Sequence, residues 1–238
     1  DPPSGPPAGV ERFELSATSD LWVAWPSAEL AALRRWGRPR DRILVLRPLD
    51  HYRHELLSAW FDAVVTAGEA LRQLEPTVLR DVLEAPNRAD LLIGAASSMV
   101  DRFVVLYRAT LERLAVPFDW FAGAPGAPRA DFADVEVVDH GQALRLGEYE
   151  ATTDAILYDF DPEYRRRAKE REVRLDPSFG GSLRRLRLLR GVPRDGFPGV
   201  SAKEIARIER GEVARPHADT LRRIAARLGV RPDEIETY

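Results

Sequence analysis

The sequence predicts two parts of different class: an α+β body to about residue 164 and an all-α domain from about residue 180. Three observations carry this prediction. Up to residue 160, runs rich in aromatic and branched residues, such as "LWVAW" and "DRFVVLYR", alternate with segments of helical spacing. Beyond Phe179 the chain holds only short leucine- or isoleucine-spaced segments, which end at Gly191, Gly211 and Gly229. Charge divides in the same place: residues 165–238 hold 19 Lys/Arg against 11 Asp/Glu, and residues 1–164 hold 16 against 27. An acidic body joined to a basic tail is the division expected when only the tail meets a polyanion.

The 238-residue chain is 45% hydrophobic and 31% charged, the composition of a protein with a packed core rather than of a disordered one. No apolar run approaches the roughly 18 residues that span a membrane. No membrane partner is therefore expected. The lack of cysteine rules out disulfides and thiolate metal sites and fits a cytoplasmic setting. The opening "DPPSGPPAG" lacks the charged-then-apolar pattern of a secretory signal, and its Pro/Gly content predicts a disordered lead-in over residues 1–9.

Within the body, "RFELS" (12–16) and "LWVAW" (21–25) read as strands, and "PSAELAALRRW" as a helix with Leu30 and Leu33 on one face. "DRILVL" (41–46) reads as a buried strand. Leu56, Leu57, Trp60, Val64 and Leu71 recur at helical spacing and predict one long helix over residues 51–74, followed by a short one at "PTVLRDVLEA". From residue 89 the period changes. "ADLLIGAA", "DRFVVLYR" and "LERLAVPF" predict consecutive strands, and "ADVEVVDHGQALRLGEY" a hairpin turning near Asp139–Gly141. The body is thus a mixed or antiparallel sheet with helices over residues 10–164, with a possible subdivision near residue 87. "TTDAILYDFDPEYRRRAKEREV" reads as a helix broken by Pro162, and residues 165–179 as a basic linker.

In the tail, "SLRRLRLLRG" places Leu183, Leu186 and Leu189 inward and Arg184, Arg185, Arg187 and Arg190 outward. Ser201 with Glu204 three residues on forms a capping box, and Ile205 and Ile208 give that helix its apolar face. Leu221, Ile224, Ala225 and Leu228 do the same for the next helix, and Pro232 opens a closing turn with Ile235 inward. These residues, "LRRLRLLRG", "IARIERGE", "RP…TLRRIAARLGV" and "PDEI", resemble the Cro/C1-type (XRE-like) helix-turn-helix domains over residues 180–238. The resemblance implies an all-α, lambda-repressor-like fold. One feature departs from it: Gly191 to Ile205 is fourteen steps, about one helical turn short of the family's spacing, and Pro193, Gly196, Pro198 and Gly199 occupy the gap. The expectation is a shortened second helix, one turn at "PRDGF" anchored by Phe197. If that turn fails to form, the domain becomes a protein-interaction module instead.

The resemblance places Ala202, Lys203 and Arg207 at base-facing positions of the reading helix. Lys203 and Arg207 can donate to guanine O6/N7, and Ala202 can meet a thymine methyl. Ser201 and the first-turn amides suit a phosphate, as do Arg194, Arg210 and Arg215. Glu204 is read as a cap and Glu209 as structural. Residues 131–167, "DFADVEVV…", are also similar to a small uncharacterised α+β domain fused ahead of such DNA-binding domains in bacteria.

Other chemistry is weaker. His51 and His54 stand three apart but lack a third ligand, and "DHG" (139–141) suits a turn. The chain has no G-x-S-x-G, Walker loop or dinucleotide fingerprint, so neither an enzyme nor a cofactor is expected. Trp22, Trp25, Trp60 and Trp120 read as core. "RRRAKERE" suits a charged linker helix and a phosphate contact equally. The sequence therefore predicts a cytoplasmic DNA-binding regulator, a repressor that binds double-stranded DNA as a homodimer. Its acidic body would supply dimer contacts or sense a small-molecule effector or protein partner. The alternative is an antitoxin-like protein whose body masks another protein while its tail autoregulates the operon.

Overall fold

Val10–Ser16 (β1) and Ser19–Ala24 (β2) pair antiparallel across a two-residue connection, with Val10 opposite Ala24. A 3-10 turn, Leu30–Arg35, leads to Arg42–Val45 (β3), which lies parallel to β2. Helix His51–Ser58 (α1) then crosses over to Ala63–Thr66 (β4), parallel to β3. The strand order β1-β2-β3-β4 buries both faces of the sheet's centre. Leu21, Val23 and Leu44 face one core, while Trp22, Ala24, Ile43 and Val45 face a second with Leu33, Leu57 and Phe61. Parallel strands covered on both sides read as continuous apolar runs, which is why "LWVA" and "RILV" do.

The computed structural model describes residues 6–68, 72–123 and 128–238, which divide into two compact units at Pro162/Glu163. Residues 1–5 of the expected lead-in lie outside the described residues. From Pro7 onward the chain is hydrogen bonded, with Val10 N donating to Pro7 O and Trp25 N to Gly9 O.

The long helix expected over residues 51–74 does not exist. Asp50 caps α1 by accepting from Arg53 N at 2.7 Å, and the helix closes where Trp60 N and Phe61 N both donate to the Leu57 carbonyl. The β-branched run Val64-Val65-Thr66 then joins the ladder with β3, an outcome set by tertiary pairing and not by side-chain spacing.

Arg72–Gln73 (β5), Leu92–Ser98 (β6), Phe103–Arg108 (β7) and Arg113–Pro117 (β8) form an antiparallel sheet, with helix Pro76–Glu84 (α2) between β5 and β6. Val135–Val138 (β9), Ala143–Leu146 (β10) and Tyr149–Thr152 (β11) form a third sheet in the order β11-β10-β9. Asp139, His140 and Gly141 turn the β9–β10 hairpin in left-handed backbone conformation. A Cβ on Gly141 would stand 2.3 Å from the Leu92 carbonyl oxygen, so the turn seats directly on β6. One core joins all three sheets and runs through both sides of residue 87, from Leu21 to Ile156. Helix Thr153–Phe160 (α3) closes this unit. The buried Arg108 pins its end, donating to Asp161 at 2.8 Å, Asp90 at 3.3 Å and the Ala89 carbonyl at 2.6 Å. Trp22 is buried in the first sheet, whereas Trp25, Trp60 and Trp120 pack against the cores in part.

The second unit is helical. The helix expected to break at Pro162 does so: α3 ends at Phe160 and Pro162–Leu175 (α4) begins a second helix that takes in most of the basic linker. Phe179–Leu189 (α5), Ala202–Glu209 (α6) and Ala218–Leu228 (α7) follow, and a 3-10 turn, Pro232–Thr237, closes the chain. Leu183, Leu186, Phe197, Ile205, Ile208, Ile224, Leu228 and Ile235 make its core. Two expectations for α5 are corrected. Leu189 faces solvent at 72% exposure, and Arg187 is buried at 7%, because Glu209 supplies it with a buried carboxylate.

Candidate nucleic-acid interface

Helix α6 is amphipathic by construction. Ile205 and Ile208 are fully buried, while Ala202, Lys203 and Arg207 are exposed along its outer side. Lys203 and Arg207 stand four residues apart and so share a face. Ser201 caps the helix by accepting from Glu204 N at 3.1 Å, leaving the other first-turn amides turned outward at the positive end of the helix dipole. Among the described residues Lys203 has no ion-pair partner. The outer side of α6 therefore presents two cations and free N–H groups. These groups match phosphate oxygens and the acceptor edges of bases.

The segment before α6 decides how that side is aimed. No helix occupies residues 190–201. The second helix is reduced to a single turn, closed by Gly196 N donating to Pro193 O at 3.0 Å, with a second turn where Val200 N donates to Phe197 O. Phe197 is 3% exposed and fills the core between the turns. Two arginines on the outer side of α7 tie the segment down. Arg223 Nη1 donates to Gly199 O at 3.0 Å and Arg227 Nε to Gly196 O at 2.8 Å, giving these carbonyls the partners that a helix would have given them.

Helix α5 supplies the remaining restraint. A Cβ on Gly180 would stand 2.3 Å from the Ile208 carbonyl oxygen, so α5 and α6 touch backbone to backbone there. Near the other end of α5, Arg187 meets Glu209 through two nitrogens, Nε at 2.5 Å and Nη2 at 3.3 Å, and its Nη1 donates to Val192 O. The Glu209 side chain is 1% exposed, and Arg194 from the turn segment reaches it at 2.8 Å. Arg194, expected on a phosphate, is thus engaged with a buried carboxylate while keeping 43% of its side chain exposed. Glu209 is structural, its buried carboxylate holding both arginines.

After α6 the charges are exposed instead. Arg210 Nε donates to Glu212 at 2.7 Å and Arg207 Nε to the same carboxylate at 3.2 Å. The hydrogen bond from Arg210 is the main reason that the Glu212 carboxyl lies below its ordinary range, with Arg207 adding to it. Arg215 lies 3.7 Å from Glu236. Sequence reasoning missed Glu212, although an acid two residues beyond Arg210 was a usable signal. It also missed Arg223 and Arg227, whose carbonyl partners lie 24 and 31 residues away and leave no local trace.

The other candidates stay apart from this face. His51 is exposed and lies 3.8 Å from Glu55. Among the described residues no group of three or more His, Asp or Glu is arranged to hold a metal ion. No helix among them is long and apolar enough to cross a membrane.

Residues 199–235 match a family model described as Helix-turn-helix. The match takes in α6, α7 and most of the closing turn, and it begins at Gly199, within the last turn before α6. The C-terminal unit therefore carries a helix-turn-helix, the element of DNA-binding transcription regulators. Neither a curated protein nor a solved structure matches the chain. Nothing in these comparisons supports the likeness drawn for residues 131–167.

Proposed function

We propose that the chain is a cytoplasmic, sequence-specific transcription regulator, a repressor whose two copies each lay α6 into the major groove of an inverted repeat. The observation that carries this reading is the outer side of α6. There Lys203 and Arg207 stand exposed on a helix whose other side is locked to α5 and to the turn segment. In this reading Lys203 and Arg207 contact guanine, and Ala202 meets a thymine methyl. The first-turn amides beyond Ser201 hold a phosphate, as do Arg210 and Arg215. Arg194 reaches a second phosphate with its exposed half and keeps its hold on Glu209. The N-terminal unit supplies dimer contacts or receives an effector, and catalysis has no part in the account.

Sequencing the genomic DNA fragments retained by the purified chain tests this. The expected outcome is one enriched motif with half-sites about 10 base pairs apart, centre to centre, or a multiple of that spacing. Uniform retention of all sequences, or none, contradicts it.

A further inference from the structure

Helix α5 carries apolar side chains on two sides. Leu183 and Leu186 enter the core, while Leu188 and Leu189 stand 60% and 72% exposed at its C-terminal end. They face a groove of about 760 Å³ between α4 and α5, whose floor they form with Val173. Lys169, Arg174 and Arg184 line it as well, and Glu170 is the one acidic residue in its lining. None of these three cations has a carboxylate partner among the described residues. The Arg184 Nε is in addition buried without a hydrogen-bond partner among the described residues, so the cation keeps an unmet polar group beside the groove.

We propose that this groove docks an acidic amphipathic helix of a partner protein. The floor takes leucine-like side chains at one helical spacing, and the cationic rim takes the carboxylates that flank them. The lining on α4 runs from Arg166 to Arg174, about 12 Å, room for about two turns of a docked helix. The charge pattern decides between occupants. A second copy meeting the same surface across a two-fold axis would set cations against cations. A nucleic acid would find cations but also exposed leucines, which offer nothing to phosphate. An acidic amphipathic helix satisfies both the apolar leucines and the unpaired cations that line the groove. None of the lining residues belongs to α6 or the loop after it, so this site does not depend on the DNA-binding reading.

The test titrates the full chain with a labelled synthetic peptide bearing leucines at i, i+3, i+4 and i+7 and glutamates between them, followed by fluorescence anisotropy. Its counterpart carries lysines in place of the glutamates. Saturable binding of the acidic peptide is expected, at least ~10-fold tighter than that of the basic one. The double substitution Leu188→Glu, Leu189→Glu and, separately, Arg184→Gln should each weaken it by a similar factor while far-UV circular dichroism stays unchanged. In the unsubstituted chain, the methyl signals of Leu188 and Leu189 should shift on addition of the acidic peptide. That measurement stands even if a variant misfolds. Equal binding of both peptides, or methyl shifts confined to other residues, overturns the proposal. So does displacement of the peptide by a short DNA duplex, which would make the groove a nucleic-acid site. A dimer that the double variant dissociates assigns the groove to a second copy and overturns it as well.

Discussion

The segments on either side of α6 handle charge in opposite ways. Before the helix, Arg187 and Arg194 converge on Glu209, whose side chain is 1% exposed. After it, Arg207 and Arg210 converge on Glu212 in open solvent. A buried pair fixes geometry because breaking it strands a charge away from water. An exposed pair is worth little and exchanges its partner freely. Under the proposed function the difference separates two tasks: the buried cluster would set the angle of α6, and the exposed one would keep its arginines available to phosphate and base.

The largest effect should come from breaking the buried cluster. Glu209→Ala leaves Arg187 buried without its carboxylate, and urea unfolding should show a loss of about 3–5 kcal/mol in the C-terminal unit. A loss no greater than that of an exposed pair would erase the contrast between the two sides. Gly180→Ala comes next. Its new methyl meets the Ile208 carbonyl oxygen, and overpacking of this kind costs about 1–3 kcal/mol. Because it pushes α6 away from α5, DNA affinity measured below the melting transition should fall while the unit stays folded. Affinity equal to the parent's would mean that α5 does not set the angle.

The smallest effect belongs to Glu212→Gln. The melting temperature should stay within experimental scatter, while affinity for all DNA sequences rises together, since one acid leaves the face and two arginines are freed. The Glu212 carboxyl lies below its ordinary range, so its pair with Arg210 and Arg207 is present above the usual carboxylate range. It is lost only as pH falls through that lowered range. Near neutral pH the arginines are therefore released by a competing phosphate and not by protonation.

Short elements with local punctuation were legible. Ser201 marks the start of α6, and the isoleucine spacing marks its buried face; of the expected capping box only the Ser201 half forms, since Glu204 gives its backbone N–H but its side chain does not return to Ser201. The reduction of the second helix follows from two prolines and two glycines in "PRDGFPG". What failed was long-range. Leu56, Leu57, Trp60 and Val64 match a helical period, yet β3 takes Val64 into its ladder. The four-residue β11 escaped notice because β10 alone defines it. Arg187 sits among leucines that predicted an outward arginine, and only the approach of Glu209, 22 residues on, turns it inward. Of the site, the outward residues of α6 were readable from position. The groups that hold α6 in place were not, because their partners lie across the fold.

The central claim is that α6 reads sequence through its outer side. Arg207→Ala, measured by fluorescence anisotropy against the selected motif and against scrambled DNA, tests it most directly. The substitution should cost about 1–3 kcal/mol per half-site on the motif. Affinity for scrambled DNA should change little, and the melting temperature should stay unchanged. Equal affinity for the motif before and after the substitution would contradict the claim.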